Sequence, residues 1–72
     1  MRDDRLLLLG QKIRFERLKK GFSQEELAEK TELSRRAISC IECGVNDAKY
    51  TTLLKIVDSL GIDISKLFSK SL

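Results

Sequence analysis

Apolar side chains recur every three or four residues along nearly all of the 72-residue chain, and this spacing constrains the fold more than any other feature. It is the period of a helix that buries one face. No stretch shows the alternation with a period of two that is typical of a half-buried β-strand. The chain is also too short for more than one domain. We therefore expect an all-α fold, a compact five-helix domain that spans residues 1–72.

Glycine and capping residues mark where the predicted helices begin and end. Proline is absent, and three of the four glycines follow an apolar stretch, where a left-handed residue often closes a helix. Ser23 is followed three residues later by Glu26, which is the pattern of a capping box, and Ser34 is a second N-cap. The closing glycines are Gly21, Gly44 and Gly61.

The first predicted helix carries two neighbouring apolar rows. One row consists of Leu6, Leu9 and Ile13, and the other of Leu8, Phe15, Leu18 and Phe22. Together the rows predict a wide apolar stripe for packing against the rest of the domain.

The next two predicted helices are short and closely spaced. The second has Leu27 and Ala28 on its inner side and ends before Leu33. The third runs from about residue 35 to residue 43, with Ile38 and Ile41 buried. Only two or three residues join these helices, which forces a sharp crossing. We therefore expect a helix-turn-helix at about residues 23–43.

Two further helices complete the prediction. After a polar loop at residues 45–49, the apolar spacing predicts a fourth helix that starts near Tyr50 and ends before Gly61. Asp63 can cap a short fifth helix that carries Ile64, Leu67 and Phe68. No repeat or linker separates these elements.

The composition argues against most enzymes. Histidine, the commonest general base and metal ligand, is absent. Two cysteines are too few for a disulfide framework. The longest apolar run has four residues, far fewer than the ~20 that cross a bilayer. We expect a cytoplasmic protein that is not an enzyme and has no cofactor, metal, small-molecule ligand or membrane partner.

The net charge is weakly positive, and the charged residues are unevenly distributed along the chain. The chain has 14 Lys and Arg against 11 Asp and Glu, a net charge of +3. Residues 1–36 hold ten basic and seven acidic groups, whereas residues 37–72 hold four of each. The excess positive charge lies in the first half and favours a polyanionic partner without identifying one.

A series of spaced motifs resembles a known family. They are Ser23-Gln24-Glu25-Glu26-Leu27-Ala28, Leu33-Ser34-Arg35, Ile38-Ser39, Ile41-Glu42, Gly44, Thr52-Leu53-Leu54-Lys55-Ile56 and Leu60-Gly61. In this order they resemble the Cro and phage-repressor type of helix-turn-helix, also called the xenobiotic-response-element family, over about residues 9–68. The resemblance implies a repressor-like domain that binds double-stranded DNA.

The resemblance also implies which residues contact DNA. In this family the outward face of the third helix enters the major groove. The base-reading positions are Arg35, Arg36, Ser39 and Cys40. The phosphate-binding positions are Gln24, Ser34, Cys43, Asn46 and Lys49. The alternative is that these residues form an ordinary solvated surface.

Arg17 and Glu42 stand on otherwise largely apolar faces. The family resemblance implies that they meet as an ion pair near the ends of the first and third helices. The alternative is that each is a solvated surface charge. A buried charge without its partner is strongly destabilising, so we predict a structural role for the pair.

The sequence departs from the family pattern at several positions. Glu32 stands where the family often has a glycine in a left-handed turn, which implies some backbone strain. Ala48 replaces a common proline and Lys49 a serine cap, so the fourth helix is expected to begin without a good cap. Cys40 and Cys43 replace longer polar residues on the DNA-facing side.

The two cysteines have the C-x-x-C spacing of zinc and redox motifs. The ligand count argues against a zinc site, because zinc needs about four ligands and the chain has no other Cys and no His. An oxidoreductase motif is also disfavoured, because the chain lacks the βαβ pattern in which a redox C-x-x-C usually occurs. Two interpretations stay open: Cys40 and Cys43 are small outward-facing residues, or they form a thiol switch that alters docking on DNA.

Two classes of function follow. The first is a sequence-specific transcription regulator, a repressor or autoregulator, that binds a palindromic operator as a homodimer with half-sites about 34 Å apart. Ile62, Ile64, Leu67 and Leu72 are candidates for the dimer interface, although Leu67 and Phe68 could instead cap the core. The second is a protein-interaction module of the same fold. A phage-type repressor, a restriction-modification controller and an antitoxin-like autoregulator all fit the first class.

Overall fold

The computed structural model describes residues 4–45 and 48–68, which form four α-helices and a short 3-10 helix. The elements are α1 (Asp4–Lys19), α2 (Gln24–Thr31), α3 (Arg35–Glu42), α4 (Tyr50–Leu60) and the 3-10 helix Ile64–Phe68. No strand occurs in the described residues, and the all-α prediction is confirmed. The fifth predicted helix is instead a 3-10 helix, the form that very short helical segments often take.

One hydrophobic core holds these elements together. α2 packs on α3 and α4, while α1 packs on α3, α4 and the 3-10 helix. Burying one large aliphatic side chain stabilises a fold by about 1.5–3 kcal/mol relative to leaving it exposed. All four α-helices contribute to the set of fully buried large side chains. These are Ile13, Leu27, Ile38, Ile56 and Leu60.

The helix ends follow the predicted signals. Gly21, Gly44 and Gly61 have φ angles of 77°, 71° and 69°, so each is in the left-handed conformation expected after a helix. The capping box at the start of α2 is present. The Glu26 N–H donates to Ser23 Oγ at 3.0 Å, and the Ser23 N–H donates to Glu26 Oε1 at 2.9 Å.

The apolar stripe predicted on α1 is only partly buried. Ile13 is completely enclosed, but Leu8, Phe15 and Leu18 are 39%, 54% and 51% exposed. The buried residues of α1 follow a different line of the helix, which faces its packing partners. The expected packing is therefore wrong for these three residues, whereas Phe22 is partly buried against the core.

The buried line of α1 includes charged residues and a close backbone approach. Lys12, Glu16 and Arg17 are buried on this helix. A Cβ atom on Gly10 would clash with the carbonyl oxygen of Ile41, so α1 and α3 approach to a distance that only glycine permits. Gly10 was not predicted as a close contact, although an isolated glycine inside a helical pattern is a signal of close packing.

The apolar residues near the C-terminus divide between core and surface. Leu67 is buried in the core, so its prediction as a dimer-interface residue is wrong and the alternative, that it caps the core, is confirmed. Ile62 and Ile64 are partly buried against the same core. Phe68 is 61% exposed and does not cap the core. Leu72 lies outside the described residues.

Candidate nucleic-acid interface

A tight turn joins α2 to α3. Glu32 closes α2 with a φ angle of 60°, the left-handed conformation that the family pattern implies at this position. The Leu33 N–H then donates back to the Ala28 carbonyl at 3.0 Å. The Ala37 N–H donates to Ser34 Oγ at 3.0 Å, so Ser34 caps α3 as expected. These bonds reverse the chain within a few residues and produce the helix-turn-helix.

The two faces of α3 differ in chemistry. Ile38 and Ile41 are buried in the core and hold the helix in place. The other face is directed outward, with two exposed arginines followed by two half-buried small residues. This outward face consists of Arg35, Arg36, Ser39 and Cys40, the four predicted base-reading residues.

Positive charge is concentrated at the start of α3. Its first turn contains Arg35 and Arg36 and no acidic residue. Neither arginine forms a salt bridge with any residue of the described ranges 4–45 and 48–68. Because cations at a helix N-terminus oppose the helix dipole, the two arginines do not stabilise α3. Their guanidinium groups are available to an external acceptor.

A buried hydrogen-bond network fixes the other end of α3. Arg17 Nε donates to Glu42 Oε2 at 2.7 Å, and Arg17 Nη2 donates to Glu42 Oε1 at 3.1 Å. Arg17 Nη1 donates to the Phe22 carbonyl at 2.7 Å. The ion pair implied by the family resemblance is therefore present, and it ties α1 to α3.

Gln24 joins this network from the first position of α2. Its Nε2 donates to Glu42 Oε1 at 3.2 Å. A glutamine amide has two N–H donors, so this bond leaves one donor and the amide oxygen for another partner. The contact with Glu42 was not predicted, because residues 18 positions apart carry no local signal of contact.

The remaining predicted phosphate ligands lie near the ends of α3 or in the following loop. Ser34 and Cys43 are exposed at the two boundaries of α3. Lys49 is exposed at the N-cap of α4 and makes no side-chain capping hydrogen bond, as its replacement of a serine predicts. Asn46 and Asp47 lie outside the described residues.

The described ranges contain no group of three His, Cys, Asp or Glu side chains that could hold a metal ion. None of the helices in these ranges is both long and apolar enough to cross a membrane. Cys40 and Cys43 are both free thiols, the first half-buried and the second exposed.

The crossed helix pair with a basic outward face defines a helix-turn-helix domain. The profile of the helix-turn-helix family of the Cro/C1 type matches residues 13–67. The chain belongs to this family, a family of DNA-binding transcription regulators, and the resemblance seen in its motifs is confirmed. No curated protein matches the sequence.

Solved structures of regulators share the fold. The restriction-modification controller protein C.AhdI from Aeromonas hydrophila is 35% identical with a TM-score of 0.86, over 88% of this chain and 91% of that chain. The controller protein C.Esp1396I is 32% identical with a TM-score of 0.83, over 92% and 86%. SinR, the master regulator for biofilm formation, solved in complex with DNA, is 31% identical with a TM-score of 0.81, over 85% and 98%.

Proposed function

We propose that this protein is a transcription regulator that binds double-stranded DNA through the outward face of α3 and reads its sequence there. The observation that carries the proposal is the pair Arg35 and Arg36, exposed and without a salt bridge to any described residue, on a helix whose other face is held in the core. An α-helix with its side chains is about 10–12 Å wide, which suits the ~12 Å major groove. SinR, a relative of the same fold, was solved in complex with DNA, which supports this docking.

The proposed base-reading residues are of two kinds. Arg35 and Arg36 each match the O6 and N7 acceptors of guanine, a contact that discriminates between bases by about 1–3 kcal/mol. Ser39 can donate to or accept from a base edge. Cys40 is small, so it permits close approach of the helix to the groove. We therefore expect guanines opposite the first turn of α3.

A second set of residues holds the phosphate backbone. They are Gln24, Ser34, Cys43, Asn46 and Lys49. Gln24 offers its second Nε2 hydrogen beside the unpaired backbone N–H groups at the start of α2. Ser34 can donate its hydroxyl hydrogen while its oxygen caps α3, and Lys49 supplies a full positive charge. Such contacts set the position of the protein on the duplex without reading sequence.

The protein acts as a symmetric homodimer on a palindromic operator. α3 has eight residues, about 12 Å of helix, so one copy reads only a few base pairs. Two copies related by a twofold axis would present their reading helices to successive major grooves about 34 Å apart. Exposed Phe68, with the partly buried Ile62 and Ile64 nearby in sequence, supplies apolar surface for the interface.

The biological role that the comparisons favour is control of a restriction-modification system. C.AhdI and C.Esp1396I are both controllers of such systems, and both match most of this chain. Neighbouring genes test this role directly: adjacent methyltransferase and endonuclease genes are expected. An adjacent toxin gene or phage operon would instead indicate an antitoxin-like autoregulator or a phage repressor.

A protein-interaction module is the second candidate function. The exposed apolar residues of α1 favour it, because Leu8, Phe15 and Leu18 stand on the outer side of that helix. This surface belongs to a different helix from the reading face, so a partner there would not need Arg35 or Arg36.

The test measures the affinity for duplex DNA as a function of salt and sequence. An operator is selected from random duplexes, and binding is followed by fluorescence anisotropy. The logarithm of the affinity should fall linearly with the logarithm of the salt concentration, by about 0.9 per phosphate contact. Arg35→Ala and Arg36→Ala should each weaken operator binding by about 1–3 kcal/mol and lower the preference over random duplex.

Two lysine variants separate charge from sequence reading. Lys49→Ala should weaken operator and random duplex equally and reduce the salt slope by about one. Lys55→Ala removes the same charge from an exposed position on α4 and is the matched control. A flat salt response and no selected sequence would overturn DNA binding and favour the interaction module. Sedimentation of the protein with its operator should show two protein copies per duplex.

A further inference from the structure

Two thiols lie on the outward side of the helix that we propose reads DNA. Cys40 and Cys43 are the only cysteines of the chain, and both are free. Cys40 is half-buried in the last turn of α3, next to the base-reading position Ser39. Cys43 is exposed and forms the C-cap of the same helix. Any covalent change at these sulfur atoms therefore takes place within the proposed DNA interface.

We propose that Cys40 and Cys43 are a redox modification site, at which a peroxide closes a reversible disulfide within one chain and thereby weakens DNA binding. The regulatory half of this proposal rests on the proposed function. The chemical half, the formation of the bridge, rests only on the positions of the two thiols.

The spacing places the two sulfur atoms within reach of each other. In a helix, residues three apart have α-carbons about 5 Å apart, from a rise of 1.5 Å per residue and a radius of about 2.3 Å. This distance falls within the ~4.4–6.8 Å range of disulfides. Cys43 keeps a helical backbone, with φ −84° and ψ −4°, and its N–H donates to the Ser39 carbonyl at 3.0 Å, so the helical spacing holds for this pair.

Closing the bridge nevertheless requires the end of α3 to move. The β-carbons of helical residues three apart are about 5–6 Å from each other. A disulfide needs about 3.5–4.5 Å, so Cys43 has to shift toward Cys40 by on the order of 1 Å. The bridge would therefore be strained, and strained or exposed disulfides are the ones that are readily reduced. This suits a reversible modification better than a permanent structural link.

The neighbours of Cys43 are held in place by contacts with other helices. Glu42 is held by the buried ion pair with Arg17 at 2.7 Å and also accepts from Gln24. On the other side, a Cβ atom on Gly44 would lie 2.6 Å from the α-carbon of Leu7, so the Gly44 backbone is packed against α1. With both neighbours of Cys43 held, the strain falls on the last turn of α3.

The oxidation balances with a peroxide as the only co-reactant. The Cys43 thiolate, the more exposed of the two, attacks one peroxide oxygen, so that an S–O bond forms and the O–O bond breaks. The departing oxygen takes a proton and leaves as water. The Cys40 thiolate then attacks the Cys43 sulfur, the S–S bond forms, and the S–O bond breaks with the loss of hydroxide, which is protonated to a second water. The two thiols lose two electrons and two protons in all, and the peroxide is reduced.

The test treats the full chain with hydrogen peroxide and compares it with the reduced protein. Intact-mass spectrometry should show the loss of two hydrogens, and peptide mapping should place the bridge between Cys40 and Cys43. Operator affinity, measured by anisotropy, should fall by about tenfold or more, the equivalent of one good base contact. Dithiothreitol should restore both the mass and the affinity.

Variants assign the effect to the two thiols. Cys40→Ser, Cys43→Ser and the double variant are each compared with themselves before and after treatment. Neither single variant can form the bridge within one chain. The ratio of oxidised to reduced affinity should be close to one for the double variant. The comparison of oxidised with reduced wild-type protein needs no substitution, so a variant that folds poorly does not affect it.

Three results would overturn the proposal. The first is a treated protein in which no bridge forms, and the second is a bridge between two chains, seen as a covalent dimer on a non-reducing gel. The third is a bridged protein whose operator affinity equals that of the reduced form. If the reduced protein binds no duplex at all, the proposed function fails and the regulatory half fails with it. The mass measurement still decides whether the bridge forms, so the two failures are distinguishable.

Discussion

α1 and α3 lie against each other but differ in which side chains they bury and which they expose. α3 buries its isoleucines and exposes its arginines, as its sequence pattern predicts, and Glu42 is its one buried charged residue. α1 buries charged residues and exposes large apolar ones. The buried charged residues of α1 are Lys12, Glu16 and Arg17, and its exposed apolar residues are Leu8, Phe15 and Leu18.

The difference shows that burial depends on which line of a helix meets a neighbour. α3 is short and has one strongly apolar face, so the burial of Ile38 and Ile41 orients most of it, and the ion pair of Glu42 holds its end. α1 is oriented by two further contacts, the approach of its backbone to α3 at Gly10 and the ion pair of Arg17 with Glu42. These contacts place a partly polar line inward, and Leu8, Phe15 and Leu18 of the second apolar row are then left exposed.

The buried ion pair of Arg17 with Glu42 gives the largest expected effect on stability. Glu42→Ala should destabilise the fold by about 3–5 kcal/mol, because it leaves the Arg17 guanidinium buried without its carboxylate. Urea unfolding followed by circular dichroism measures the loss. The longer pair of Lys19 with Glu16, at 3.7 Å and with the Lys19 side chain half exposed to solvent, is the comparison. Lys19→Ala should cost about 1 kcal/mol or less.

A double variant separates charge burial from packing. In Arg17→Met with Glu42→Met, no buried charge is left unpaired, so much of the stability lost in Glu42→Ala should return. An equal or larger loss in the double variant would contradict the view that the stranded charge causes the effect.

Truncating an apolar residue should cost much more stability in the buried face of α3 than on the exposed side of α1. Ile38→Ala removes a fully buried side chain and should cost about 2–5 kcal/mol. Phe15→Ala removes a larger side chain from an exposed position, where substitutions usually change stability by no more than about 0.5 kcal/mol. Thermal and urea unfolding of both variants provide the measurement. Similar losses of stability in the two variants would show that the exposed apolar residues of α1 are covered in solution.

Gly10 tests the close approach of the two helices. In Gly10→Ala the new Cβ would meet the backbone oxygen of Ile41, so the helices must separate, and we expect a loss of about 1–3 kcal/mol from overpacking. Gly21→Ala is the control, since a Cβ there meets no atom within 4 Å and only the positive φ angle opposes it. A Gly10→Ala protein as stable as wild type would show that the helices can move apart freely.

The smallest expected effect concerns the start of α2, which lies beside the end of α1. Hydrogen bonds from the backbone and side chain of Ser23 lower the pKa of Glu26 below its ordinary value of 4.5. The stabilisation from this carboxylate is complete above the pKa of the unfolded chain and is lost as the pH falls through the lowered folded pKa. Glu26→Gln should remove that part of the acid dependence of unfolding. Identical acid titrations of wild type and variant would contradict this assignment.

The sequence predicted the elements better than their contacts. The closing glycines and the two serine caps are signals within a few residues of the bonds they make, and the structure confirms them. It also confirms the left-handed conformation at Glu32, which the family resemblance implied. The bond from Gln24 to Glu42 joins residues far apart in the chain, and no pattern indicates it. The position of Leu67 was left open between a dimer interface and the core for the same reason, since its spacing suits both.

Local hydrogen bonding and steric preference act over one helical turn, so the amino-acid sequence was sufficient to define the helices, the sharp turn between α2 and α3, and the outward arginines of α3. Burial depends on what covers a residue, and that cover comes from distant parts of the chain. The assembled fold was therefore needed to show that α1 buries Lys12 and Glu16 and leaves Phe15 outside. It was also needed to show that Gln24 joins the ion pair of Arg17 with Glu42, which the family resemblance had implied, at the end of the proposed reading helix.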